Sequence, residues 1–508
     1  MRILFINSNR FKIPWPVLPY GLFSVVASVE EAGHEVSFLD ICFSKNPEKE
    51  ITDQINAFSP DIIGIGIRNI DNCAGYNTVF LLDEIKKKVV EPCKRIFQGP
   101  IILGGSAVGI NGKEILDYFD LSYAIHGDGE AAMNHFIDRI GKSQPLEGIK
   151  GLMIRESGKI TYSGDPDFLP DLNTLPLPKP HKYIDLKNYN KYEGSFQLQT
   201  KRGCAFKCTY CSYKTLEGSE YRLKNPQLIA DYVEQLVKET GINRFEFVDS
   251  TFNAPLDHAK EVLKAIINKN LDLNLTGMGI SPASMDEELV DLMKRAGFKH
   301  VSFGIESGCE ATLKTLGKSF TKNEIIKGGE LIRNAGIDLD WYILVGAPNE
   351  TYDTLKETLD FCERVANRWE LVTIGIGIRV YKGAPLAKQL IRKQPDCTFD
   401  NFLTPVTYPP SLDLESLKAA TKLYCIPRPN FLMYDEDTPP LILVKTIFAI
   451  IKKFMPGAPL WKFYIFSEYI YKWTGFSFAR LVFYRLRKRK IFKTIQSRQT
   501  DQLLAQQS

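Results

Sequence analysis

Three cysteines fall within eight positions of one stretch, TKRGCAFKCTYCSYKT at residues 200–215: Cys204, Cys208 and Cys211. The other seven of the chain's ten cysteines are scattered, so thiols are concentrated only here. Three thiols this close, next to Gly203 and after a strand-like run, point to metal ligation rather than to unrelated reduced cysteines. A structural zinc takes four ligands in a tetrahedron. No second close pair exists, so zinc would need a distant fourth ligand such as Cys309 or one of the six histidines. A 4Fe–4S cubane, whose irons are usually all held by cysteine, suits three thiolates if one iron stays open. The open iron can then chelate a small molecule.

The elements around the triplet follow from periodicity. From 196 to about 395, strand runs (SFQLQT, RFEFVD, LNLTGMGI, HVSFGIE, DLDWYILVG, VTIGIGIRV) alternate with amphipathic helical segments. Six β/α units in a row predict a partial (β/α)6 barrel of the TIM type. The triplet directly follows the first strand, at the face where such barrels do chemistry. Residues 1–145 also alternate: RILFIN, EVSFLD, DIIGIGI, PIILGG and SYAIHG are continuous apolar strands separated by helices. This pattern predicts a Rossmann-like parallel sheet covered on both faces. Residues 146–195, with the proline-rich GDPDFLPDLNTLPLPKP, read as a linker. Residues 396–508 read as a mainly helical, basic and aromatic region. The fold class is therefore α/β with two such units and a helical C-terminal part.

The 508 residues exceed one ordinary core. Hydrophobic content of 44% and charged content of 24% match a soluble globular protein, and a net charge of +4 is too small to argue for nucleic acid. No secretory signal and no stretch of about 18 apolar residues is visible, and scattered cysteines fit a reducing compartment. A cytoplasmic location is expected.

C-x3-C-x2-C with Tyr210 before its last cysteine resembles the signature of the radical S-adenosylmethionine (radical SAM) enzymes. FVDSTFN (247–253), VSFGIESG (301–308), ILVGAPNET (343–351) and RVYKGAPL (379–386) resemble that family's later strand ends, in the same order. The resemblance implies that Cys204, Cys208 and Cys211 hold a 4Fe–4S cluster whose open iron binds S-adenosylmethionine. It also implies that Tyr210, Asp249, Glu306, Ser307 and Tyr381 orient that cofactor. Relatives often carry an arginine near the third strand's end. GMGISPASMDEE has none, so Ser281 or a backbone amide would substitute, with Arg333, Arg379 and Lys214 as candidates to neutralise the cofactor's carboxylate.

Residues 1–145 resemble the cobalamin-binding domain that precedes many of these enzymes, in the class B methyltransferase-like branch. The resemblance places Arg68 and Asn69 beneath the corrin. Gly104, Gly105, Ser106, Gly127 and Glu130 line it, the last two at a turn into a helix. No D-x-H-x-x-G motif is present, and His34 and His126 are poor candidates for a cobalt ligand. The implied activity is cobalamin-dependent methylation of a carbon of a small-molecule, lipid or peptide substrate, through a 5′-deoxyadenosyl radical and methylcobalamin. A donor such as flavodoxin or ferredoxin would supply electrons. The same cofactors also serve cyclisation, rearrangement or sp2-carbon methylation. A reading of another class is a non-catalytic cobalamin or metal-binding protein.

Near the C-terminus, Arg480, Arg485, Arg487, Lys488, Arg489, Lys490 and Lys493 lie among aromatics. They read as a solvated helical cap over the barrel, or as a contact with an anionic membrane surface.

Overall fold

The computed structural model describes residues 1–12, 15–190, 195–396 and 402–433, and residues 462, 465, 466 and 469. The basic segment from Arg480 to Lys493 lies outside the described residues. No helix among the described residues is long and apolar enough to cross a membrane.

The first sheet is built from β1 (Arg2–Asn7), β2 (Glu35–Asp40), β3 (Ile62–Gly66), β4 (Ile101–Gly104), β5 (Tyr123–Ile125), β6 (Leu152–Glu156) and β7 (Lys159–Tyr162), in the order β2-β1-β3-β4-β5-β6-β7. β1 to β5 are parallel. Their continuous apolar character follows from burial on both faces: Leu4 and Ile6 of β1 enter one core, Ile3 and Phe5 the other. The strand order reverses between β1 and β3, which opens a crevice at their carboxyl ends. β6 and β7 form an antiparallel hairpin inside the range read as linker. Ser157 and Gly158, both with positive φ, make its tight turn. The alternation in LMIRESGKITY carries this hairpin, and the prolines that follow it obscure the signal.

The second sheet comprises β8 (Phe196–Leu198), β11 (Arg244–Phe247), β12 (Asn274–Ile280), β13 (Phe298–Glu306), β14 (Asp338–Val345), β15 (Leu371–Ile376) and β18 (Phe431–Met433). Two small ribbons accompany it: β9 (Lys201–Arg202) with β10 (Arg222–Leu223), and β16 (Arg379–Val380) with β17 (Val406–Thr407). All seven strands are parallel and their order is open, β18-β15-β14-β13-β12-β11-β8, which makes a partial barrel. Six strands match the sequence expectation. β18 is a seventh, contributed from beyond residue 400, where periodicity is weak. Outward-facing side chains carry the core: Phe303 and Trp341 pack on Gly328 and Gly329 of the helix Lys322–Asn334.

The carboxyl ends of the two sheets face each other. The loop after β3 meets the segment after β15: Arg379 Nε donates to Asp71 at 2.8 Å and Tyr381 Oη donates to Asp71 at 2.6 Å. Arg379 and Asp71 are 4% and 0% exposed. Lys382 pairs with Glu114, and Thr407 donates to the Gly75 carbonyl. A buried pair broken on one side leaves an uncompensated charge. Arg379→Ala is therefore expected to cost about 3–5 kcal/mol, read as an earlier denaturant transition. Lys94→Ala, at an exposed ion pair, is expected to leave the transition where it is.

Candidate functional site

The cysteine loop is fixed by main-chain geometry. Gly203 has φ +94°, and an added Cβ would sit 1.8 Å from the Glu220 carbonyl oxygen, so only glycine fits. Cys204 N donates to the Gly218 carbonyl (3.1 Å), Thr209 N to the Leu316 carbonyl (2.9 Å) and Leu386 N to the Thr209 carbonyl (2.8 Å). These ties leave the three thiols unbridged, and all are free. Cys211 lies within electrostatic reach of Cys208 and Cys204, and Cys208 within reach of Cys204. Burial pushes the Cys208 thiol up and the Cys211 thiol up to about 11, while the Lys318 ammonium opposes both shifts.

Among the described residues no three His, Cys, Asp or Glu side chains converge as they would on one metal ion. A cubane asks for a different arrangement, one thiolate per iron spread around a cluster. The distant zinc ligands considered from sequence are engaged elsewhere. Cys309 bonds to Glu357, His126 to Tyr162 and the Thr215 carbonyl, and His258 to the Thr200 carbonyl. Cys204, Cys208 and Cys211 can hold a cubane with one iron left unligated by protein.

Beside the loop stands a polar triad. Tyr210 Oη donates to Glu306 at 2.8 Å, and Lys318 Nζ donates to both Glu306 (3.1 Å) and Tyr210 Oη (3.0 Å). Glu306 ends β13 with φ +62°. The triad joins the cysteine loop to the fourth barrel strand, and Lys318 has no counterpart in the motif-based reading.

Other residues assigned to the cofactor from sequence are occupied by structural bonds. Asp249 accepts from Thr200 N (2.8 Å), Thr200 Oγ1 (2.9 Å) and Lys201 N (3.1 Å), so it props the loop that leads to Cys204. Ser307 Oγ shares a 2.7 Å bond with Thr358 and accepts from Cys309 N. Tyr381 is held by Asp71 at the first sheet, and Arg379 and Arg333 pair with Asp71 and Glu370. Lys214 is exposed. Ser281 lies buried at the end of β12, its amide donating to Asn253. Lys201, immediately before Arg202 and 1% exposed, lies near Cys204 and donates to the Thr251 carbonyl; burial lowers its pKa. Its place in TKRGC is the signal that could have found it.

At the first sheet's edge, a shallow depression lies at the β1/β3 switch, where the polar Ser8, Asn9, Arg10, Arg68, Asn69 and Glu84 meet the apolar Phe11, Leu81 and Ile85. Arg68 is exposed, and its guanidinium has no hydrogen-bond or ion-pair partner among the described residues. Its charge reaches Cys73, Tyr213 and Glu246, which span both domains. Ser106 Oγ donates to the Arg68 carbonyl at 2.7 Å. A Cβ on Gly104 would meet nothing within 4 Å, whereas Gly105 has φ +101° and closes on the Ile67 carbonyl. Such an edge is an open platform with a free cation, which fits a large planar ligand. His34 lies at the opposite end of its strand, beside the N-terminal amine. His126 follows β5 at this edge, but its ring is tied to Tyr162 and the Thr215 carbonyl.

Gly127 and Glu130 also take part in the interdomain contact. A Cβ on Gly127 would meet the Asp167 carbonyl. Glu130, expected at the corrin, accepts from Arg202 Nη2 (2.6 Å) and Ser24 Oγ (2.7 Å). Arg202 Nη1 also donates to Asp128 at 2.8 Å, and Arg222 pairs with the same aspartate. Arg202 and Glu130 are 6% and 2% exposed. Burial works to raise the Glu130 carboxyl, but the Arg202 charge and hydrogen bonds outweigh it and hold it down at about 2. Arg202 precedes Gly203-Cys204, so this cluster clamps the cysteine loop to the first domain.

Comparison with known proteins agrees with the geometry. Residues 198–362 match the radical SAM superfamily, and residues 10–137 match the B12 binding domain. Cytidylyl-2-hydroxyethylphosphonate methyltransferase of Streptomyces wedmorensis is 25% identical over 425 residues, covering 71% of this chain and 77% of that protein. Tryptophan 2-C-methyltransferase of Streptomyces laurentii is 24% identical, covering 76% and 74%. The structure of the radical S-adenosylmethionine methyltransferase TsrM from Kitasatospora setae, with cobalamin and a [4Fe-4S] cluster bound, superposes with a TM-score of 0.74 at 19% identity over 85% of this chain and 90% of that one. The chain belongs to the radical SAM superfamily and carries a B12 binding domain ahead of its barrel.

Removing Arg202 would strand the buried Glu130 carboxylate, while Asp128 keeps Arg222. In the wild type, Glu130 contributes stability that is full above its unfolded value near 4.5 and lost as pH falls toward 2. In Arg202→Met the unpaired Glu130 carboxyl would be raised by burial, so acid would favour its folded form. The stability gap between wild type and variant is expected to shrink as pH drops from 6 to 3, measured by denaturant midpoints at each pH. A constant gap would contradict the pairing.

Proposed function

We propose that this protein is a cobalamin-dependent radical SAM methyltransferase that transfers a methyl group to carbon on a small-molecule substrate. The observation that carries the reading is the meeting of two unfinished sites. A loop with three free thiols ends the barrel's first strand, and the open edge of a B12 binding sheet faces it. When bound, the cluster supplies the electron that cleaves S-adenosylmethionine, and cobalamin carries the methyl group.

In this reading Cys204, Cys208 and Cys211 ligate three irons. The triad of Tyr210, Glu306 and Lys318 supports the loop from the cofactor's side, and Lys318 supplies a cation toward the cofactor's carboxylate in place of the missing arginine. Asp249 and Ser307 act at one remove, by fixing the loop and the β13 turn. Arg68 and Asn69 would hold the cobalamin at the β1/β3 edge, where the Arg68 guanidinium would set a positive charge beside it. An electron carrier such as flavodoxin or ferredoxin would meet the exposed rim, and a cytoplasmic setting suits that partner.

Anaerobically reconstituted protein given dithionite and S-adenosylmethionine is expected to cleave the cofactor, and Cys208→Ala is expected to abolish cleavage. Cleavage retained in that variant would contradict the assignment. 5′-Deoxyadenosine formed with a cyclised product instead of a methylated one would redirect the reading to ring closure.

A further inference from the structure

The interior of the second sheet carries polar chemistry away from the cysteines. β/α barrels ordinarily fill their lumen with layers of branched apolar side chains. Here the strands alternate in the opposite sense. Phe245, Phe247, Leu275, Val301, Leu339 and Trp341 belong to the core on the outer, helix-covered face. The intervening residues point inward: Gln197 pairs in register with Glu246, Glu246 with Thr276, Thr276 with His300, and Ser302 with Asp340. Among the inward positions, Thr276, His300, Gly304 and Tyr342 keep partial exposure and Met278 is exposed, whereas Gln197, Glu246, Ser302 and Asp340 are buried, so the polar lumen is accessible at some positions and closed at others.

Glu246 stands out in that lumen. It is 5% exposed, yet its carboxylate has no hydrogen-bond or ion-pair partner among the described residues. His300 Nε2, on a nearby strand, bonds to Asp340 at 2.6 Å. Burial pushes the Glu246 carboxyl up to about 7, and His300, Arg68 and Arg244 pull it down from a distance. A buried carboxylate without a partner costs folding free energy. Such a group in a cleft is a candidate for ligand recognition. Glu246 precedes Asp249, the residue that props the cysteine loop, by three positions. At about 3.3 Å of rise per residue it sits roughly 10 Å below the mouth.

We propose that Glu246 is the specificity determinant of the substrate site and that the substrate presents a cationic nitrogen, an amine or guanidinium, which this carboxylate receives in the lumen. The inference rests on the functional reading above and names its substrate class. The cationic end descends into the barrel, and the carbon to be modified, several bonds away, stays at the mouth between the two domains. Anionic substrates are disfavoured, because the Glu246 carboxylate would face them without a partner of opposite charge, Asp340 being engaged by His300. A site that binds through a buried polar group discriminates strongly against ligands that cannot pair with it.

The test uses the full chain with cluster and cobalamin loaded, under anaerobic conditions, and calorimetric titration with ethylguanidinium and with propionate as its size-matched anion. Ethylguanidinium is expected to bind saturably to the wild type and propionate not at all. Glu246→Gln is expected to weaken ethylguanidinium binding at least tenfold, whereas Glu246→Asp, which keeps the charge, retains most of it. Equal binding by wild type and Glu246→Gln, equal binding of anion and cation, or no cation binding would overturn the inference. Should the glutamine variant not fold, the wild-type comparison of cation with anion and the aspartate variant still decide. Reductive cleavage of S-adenosylmethionine is scored on the same wild-type preparation. Cleavage without cation binding removes this inference alone, and absence of cleavage removes the functional reading beneath it.

Discussion

A single guanidinium organises the molecule. Arg202 lies at the end of the barrel's first strand, one residue from Gly203 and two from Cys204, and is almost fully buried against Asp128 and Glu130 of the other domain. An ion pair this deep gains little net stability over a well-packed apolar contact, because both charges must be desolvated. It does impose geometry, since planar bidentate pairing of arginine tolerates little displacement. The clamp therefore sets where the cysteine loop stands relative to the B12 binding edge. A second buried contact, Arg379 and Tyr381 on Asp71, fixes the opposite side of the same interface.

With the two edges held face to face, the chemistry needs few further residues from the protein. The loop keeps its thiols free by tying its main chain to three neighbouring segments. The first sheet keeps its edge open with Gly104 and leaves Arg68 unpaired. Between them, the barrel interior carries polar side chains, Gln197, Glu246, Ser302 and Asp340 among them. Stability resides in the outward-facing apolar layers, and the buried interdomain contacts set the placement of the two edges.

Much of this was legible in the sequence, for local reasons. The cysteine spacing sets its own chemistry, and continuous apolar runs between amphipathic helices specify parallel sheets without any knowledge of partners. The long-range bonds were not legible, and for one physical reason. Asp249, Ser307, Tyr381 and Glu130 are polar residues at strand ends, where cofactors bind, and each also bonds to a partner distant in sequence: Thr200, Thr358, Asp71 and Arg202. A hydrogen bond across 49 to 310 positions leaves no periodic trace. Glu246 was passed over for the complementary reason, since one acidic residue inside an apolar strand looks unremarkable until its lack of a partner is seen. The hairpin at Leu152–Tyr162 and the strand Phe431–Met433 were hidden by flanking proline-rich or weakly patterned segments.

The central claim is that the cluster loop and the B12 edge are held within reach of each other by the protein alone. Pulsed electron paramagnetic resonance on protein carrying cob(II)alamin and a reduced cluster measures this directly. The account predicts spin coupling between the two centres before any substrate is added. Two independent, uncoupled signals in the intact protein would contradict it.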